Sequence, residues 1–187
     1  MHARGVTDAH ASGRKCWHDA AMDMHAEIAY PTASPDEAFA LTTSPEFRAD
    51  VCRATHALDY DVDIEAHEDG GATVTVNRVM PADVPDFVKR FVGDTVTVIQ
   101  TETWGRPDDQ GRRTGDLVVQ IKGQPAQMNG TLALDVVGSG VRQRIDGELR
   151  VSVPFVGKKI EPEIAKAILA GVEKEQEVGI RWFAASP

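Results

Sequence analysis

Aromatic side chains make up only 6% of these 187 residues, and cysteine occurs twice, at Cys16 and Cys52. One lies in a polar leader and the other in a helix-patterned stretch, so they form no disulfide framework and read as plain thiols. Long hydrophobic runs are missing as well. No stretch approaches the roughly 20 apolar residues of a bilayer crossing, and the first residues lack the apolar segment of a signal peptide. The chain reads as cytoplasmic, with no membrane insertion. Positive charge is scarce: 20 Lys and Arg face 29 Asp and Glu, for a formal charge of −9. With no Lys/Arg cluster interleaved with aromatics, that balance excludes nucleic acid as a partner. Phosphate-binding glycine loops are absent, since Gly138-Ser139-Gly140 sits in a hairpin, and no Ser/His/Asp or Cys/His nucleophile arrangement is visible. His2, His10, Cys16 and His18 match no compact zinc spacing, so no metal and no cofactor is expected.

What is present is the composition of one globular domain, 42% hydrophobic and 26% charged. Residues 1–23 show neither strand alternation nor a helical stripe and read as a disordered leader; residues 24–185 read as a single domain. A strand from His25 to Tyr30 ends at Pro31. Ser34-Pro35-Asp36-Glu37 and Ser44-Pro45-Glu46 then start two short helices, each with a capping serine and proline in the first position. Phe47 and Val51 mark the inner side of the second, and the pair reads as a support.

Period-two alternation follows, the pattern of strands buried on one face. One side carries Leu58, Tyr60, Val62 and Ile64, then Val74, Val76 and Arg78 after the Asp69-Gly70-Gly71 turn, then Val96, Val98, Gln100, Glu102 and Trp104. Leu117, Val119 and Ile121 continue it, followed by Leu132, Leu134 and Val136, and by Val141, Gln143, Ile145, Leu149 and Val151. Short links at 106–115, 123–125 and 138–140 predict an antiparallel sheet. Between the second and third of these strands, Val84, Phe87, Val88 and Phe91 repeat at helical spacing between Pro81, Pro85 and Gly93. That short helix reads as a plug at one end of the sheet, with a lid over a cavity as the alternative.

The chain ends in a long amphipathic helix predicted from Ile160 to Phe183. Its stripe of Ile164, Ile168, Gly171, Val178 and Trp182 has an acid, Glu175, at its centre, within about 20° of Ile164 and Trp182. Gly157-Lys158-Lys159 reads as a glycine bend ahead of it.

One strand, two helices, about six antiparallel strands and a long final helix is the element order of the helix-grip fold. The stretches RVMPADVPDFVKRFVGD, TETWG, VSVPFVGKKIE and AILAGVEKEQEVGIRW resemble domain-of-unknown-function family 2505, within the START-like, polyketide cyclase and lipid-transport (SRPBCC) superfamily. The resemblance covers about Met24 to Phe183. It implies an α+β fold, a curved antiparallel sheet wrapped around the C-terminal helix, with a cavity between them for a small hydrophobic ligand.

The expected cavity walls are Val74, Val76, Val98, Val119, Leu134 and Ile145 from the strands, Phe87 and Phe91 from the short helix, and Ile164, Ile168, Gly171 and Val172 from the final helix. Arg78, Gln100, Glu102, Gln143 and Glu175 are the polar residues on these apolar faces. A buried charge needs a partner, and Arg78 with Glu102 or Glu175 is the expected pair. The reading favoured is a non-catalytic binder or carrier of a small hydrophobic or amphipathic molecule. The alternatives are a cyclase- or dehydratase-like enzyme using Glu175 and Arg78, and a protein-interaction domain with a filled core. Nothing in the sequence bears on oligomeric state.

Overall fold

The computed structural model describes residues 21–185. The leader expected at 1–23 thus lies outside the described residues up to position 20, while Met22 and Asp23 already belong to the first strand. In chain order the elements are β1 (Met22–Tyr30), α1 (Pro35–Thr42), α2 (Pro45–Ala54), β2 (Asp59–Ala66), β3 (Ala72–Pro81), α3 (Asp86–Val92), β4 (Thr95–Trp104), β5 (Arg113–Ile121), β6 (Ala126–Val137), β7 (Gly140–Val151) and α4 (Gly157–Ala185).

Local chemistry explains the short helices. Ser34 Oγ accepts the Glu37 N–H at 3.3 Å while the Glu37 carboxylate accepts the Ser34 N–H at 2.8 Å, a complete capping box. Ser44 Oγ accepts the Phe47 N–H at 3.2 Å and starts α2 in the same way. Both helices have proline at the first position, where its missing N–H costs nothing.

The seven strands form one curved sheet in the order β1-β7-β6-β5-β4-β3-β2, every neighbouring pair antiparallel. Register carries the alternation across it: Val76 lies opposite Gln100, Gln100 opposite Val119, and Leu134 opposite Gln143, all on the inner face. α4 runs along that face, packed on β1, β7 and α2. The main core gathers Ile28, Tyr30, Phe47, Trp104, Leu132, Leu134, Leu149 and Val178. In a smaller cluster Val88 of α3 is buried with Ala126, Val151 and Ile160. α3 therefore packs through Val88 against the ends of β6 and β7 and the start of α4.

The outer face is polar. Asp59, Asp61, Asp63 and Glu65 stand exposed along β2, which among the described residues has a neighbouring strand on one side only. At the other edge, Gln176 Oε1 of α4 accepts the Ala29 N–H of β1 at 2.7 Å.

Two other boundaries differ from expectation by three residues or more. α4 begins at Gly157, so Gly157-Lys158-Lys159 form its first turn and the bend lies earlier, at Phe155, whose φ is 67°. Gly157 serves close approach: a Cβ there would stand 2.2 Å from the Val151 carbonyl oxygen. β5 begins at Arg113, earlier than the hydrophobic alternation starts. Arg113 lies 3.6 Å over the Phe39 ring and donates to the Gly70 and Gly105 carbonyls at 2.7 and 3.2 Å, which fixes the strand's first residue.

Candidate functional site

Three elements bring charge to one place on the inner face. β4 presents Glu102, α4 presents Glu175, and α2 presents Arg48 between them. Arg48 is 2% exposed, Glu102 2% and Glu175 8%. The Arg48 guanidinium donates through Nη2 to Glu102 Oε2 at 2.6 Å, through Nη1 to Glu175 Oε1 at 3.3 Å, and through Nε to the Thr42 carbonyl at 2.7 Å. Glu102 Oε2 also accepts Trp104 Nε1 at 2.9 Å, and Oε1 accepts Gln100 Nε2 at 2.7 Å. Gln100 Oε1 in turn accepts Arg78 Nη2 at 3.0 Å. A chain of contacts thus runs Arg78, Gln100, Glu102, Arg48, Glu175.

The expected pairing of Arg78 with Glu102 or Glu175 is corrected by this geometry. Arg48 pairs with both carboxylates, and Arg78 reaches Glu102 only through Gln100; it makes no ion pair within 4.0 Å among the described residues. The two short helices, expected as a support, contribute to the cluster through Arg48 of α2 and the Thr42 carbonyl at the end of α1. The missed signal lay in α2 itself: Arg48 precedes Val51 by three residues and Cys52 by four, which puts it on the buried side of the helix.

Burial alone would pull the Arg48 guanidinium down, but the two carboxylates more than offset it, and Arg48 stays charged. Burial pushes the Glu175 carboxyl up, with Glu102 adding to the shift while Arg48 and Arg78 oppose it. Burial likewise raises the Cys52 thiol and pushes the Tyr30 phenol far up. Tyr30 Oη and Gln143 Oε1 are buried with no hydrogen-bond partner among the described residues.

The residues expected to line a cavity divide into two groups. Val74, Val76, Leu134, Gln143 and Ile145 are buried with Glu102 and Glu175. Arg78, Val98, Gln100, Val119, Ile164, Ile168, Gly171 and Val172 are half-buried, together with Tyr60, Val62 and Ile64 of β2. Of these, Tyr60, Val62, Ile64, Val119, Ile164, Ile168 and Val172 pack against the main core from its wetter side. Gly171 marks the opening: a Cβ there would meet nothing within 4 Å outside its own helix backbone. Phe87 is 41% exposed on α3, away from this face. The Phe91 side chain lies outside the described residues. A groove of about 600 Å³ also exists on the outer face, between Ile99, Gln120, Gln127, Glu148 and Arg150.

A curved antiparallel sheet gripping a long C-terminal helix, with two short helices after the first strand, defines a helix-grip protein of the START-like kind. Solved structures agree at the level of fold. A protein from Thermus thermophilus is 18% identical with a TM-score of 0.57, over 88% of this chain and 100% of that one. A START superfamily protein from Mycobacterium smegmatis is 10% identical with a TM-score of 0.52, over 88% and 99%. Norcoclaurine synthase from Thalictrum, a point mutant in complex with a transition-state analogue, is 16% identical with a TM-score of 0.50, over 88% and 96%.

Within that class, residues 25–183 match the DUF2505 family of proteins of unknown function, and the chain belongs to it. Uncharacterised proteins of Mycobacterium tuberculosis and Mycobacterium bovis are 28% identical over 112 residues, which is 59% of this chain and 64% of their own length. The match therefore spans less than two thirds of those relatives. Among the described residues, no helix is long and apolar enough to cross a membrane.

Proposed function

We propose that this protein holds a small hydrophobic or amphipathic molecule between the sheet and the first half of α4, as a binder or carrier and not as a catalyst. The observation that carries the reading is the half-buried apolar stripe of Ile164, Ile168 and Val172 around Gly171, where a Cβ would meet no neighbour within 4 Å, on the side of α4 that also carries the inward Glu175. Apolar side chains left partly wet on an inward face are a standing cost of about 25 cal/mol per Å², which an apolar occupant would recover. The carboxylates favour binding over chemistry, because Glu102 already accepts three donors and Glu175 is bonded to Arg48. The cyclase- or dehydratase-like alternative rests on Glu175, whose proton is retained to higher pH by burial.

Native mass spectrometry after gentle purification tests the reading, with solvent extraction of the same sample. A bound lipid-like molecule is expected, and it should be lost in Gly171→Phe, whose ring fills the space while the fold persists. A protein that purifies empty and takes up no apolar probe would refute the proposal. Turnover of a carbonyl substrate that falls in Glu175→Gln would favour the enzyme instead.

A further inference from the structure

Resting on that reading, we infer that the molecule held under α4 is a monoanionic amphiphile, a carboxylate with an apolar tail, whose head pairs with Arg78. The two arginines of the inner face differ in what they have left to give. Arg48 donates to two carboxylates and one carbonyl and is sealed inside. Arg78 is half-buried, its side-chain partners are the neutral Gln100 amide and the Cys52 thiol, and among the described residues no carboxylate stands within 4.0 Å of it. It projects from β3 opposite Val98 and Tyr60, at the boundary between the charged cluster and the open apolar half. A head placed at Arg78 leaves the tail to run along Val98, Ile168 and Val172.

Charge accounting sets the valence of the head. The groups facing this point are Arg78 and Glu102 from the sheet, Arg48 and Cys52 from α2, and Glu175 from α4. Cys52 is a buried thiol raised by burial, and so stays neutral. Arg48 is paired with both carboxylates, whereas Arg78 has no carboxylate within 4.0 Å among the described residues, so one positive charge at Arg78 is left without a direct counter-charge. A monoanion balances it. A dianionic phosphate would overbalance it, and an ammonium head would meet a cation with no free carboxylate to receive it.

The test compares three twelve-carbon probes on the delipidated full chain by titration calorimetry: dodecanoate, dodecanol and dodecylamine. Dodecanoate should bind about tenfold or more tighter than dodecanol, with dodecylamine weakest, as a charge-assisted hydrogen bond implies. Arg78→Gln should remove the advantage of dodecanoate and leave dodecanol within about twofold, and Arg78→Lys should restore part of it. Equal or tighter binding of dodecanol to the wild-type protein overturns the head-group inference and leaves the carrier reading intact. Failure of all three probes to bind overturns both. The wild-type ranking is decisive even if Arg78→Gln does not fold.

Discussion

The two halves of the grip are built from the same kinds of strand and the same helix, yet they have been completed differently. Where α4 lies on β1 and β7, Ile28, Tyr30, Leu134 and Gln143 are almost wholly buried, and Gly179 is pressed so close to Tyr30 that a Cβ would stand 2.5 Å from the ring. Two turns earlier on the same helix face, Gly171 looks into open space. The contrast shows how one rigid helix serves two purposes. Its C-terminal half is a structural anchor tied to the sheet by a buried ion cluster, and its other half presents the half-buried Ile164, Ile168 and Val172.

The sharpest way to break the comparison is to remove the cation at the anchor. Arg48→Ala leaves Glu102 and Glu175 buried without their shared partner and should cost about 3–5 kcal/mol in urea unfolding. Arg78→Gln, in the half-open part, should cost about 1 kcal/mol or less. Equal losses would mean that the halves are not energetically distinct.

The two glycines sharpen the same point without touching charge. Gly179→Ala should lose about 1–3 kcal/mol, because the new methyl group meets the Tyr30 ring in a filled core. Gly171→Ala should gain up to about 1 kcal/mol, because alanine suits a helix interior better and meets no neighbour. Thermal melts of the pair, read side by side, decide whether the space under α4 exists in solution.

A smaller effect separates the halves by pH. Burial and the nearby Glu102 keep a proton on Glu175 to higher pH in the folded protein than in the unfolded chain. The contribution of this carboxyl to stability is therefore fullest below the ordinary glutamate range and declines as pH rises through its raised one. Glu175→Gln has nothing to titrate there, so its unfolding midpoint should vary less between acid and neutral pH than that of the wild-type protein. An identical slope in both would place the titration elsewhere.

Much of this architecture was legible in the residues, and the reasons are physical. Period two survives in a half-buried sheet, so Thr95–Trp104 could be delimited from its alternation alone, and Ser34 and Ser44 announce their helices through hydrogen bonds made within four residues. Glu175 could be placed on the inward stripe by angle. What could not be read was pairing at a distance. Glu102 and Glu175 demanded a cation, but Arg48 is 54 and 127 residues away from them, and only the fold brings α2 over β4. Arg113 was missed for a related reason: its partners are the Phe39 ring and two turn carbonyls, none of which leaves a periodic trace.

The acids of β2 have a consequence for the molecule among its own copies. This strand borders the half-open part of the grip and offers unpaired backbone groups along its free side, the usual invitation for another chain to add itself to a sheet. Asp59, Asp61, Asp63 and Glu65 repeat at every second position on the solvent face, opposite Val79, Asn77, Thr75 and Thr73 and with no cation across from them. Two copies meeting edge to edge would bring two such columns of negative charge together. Like charges along this edge oppose such a pairing.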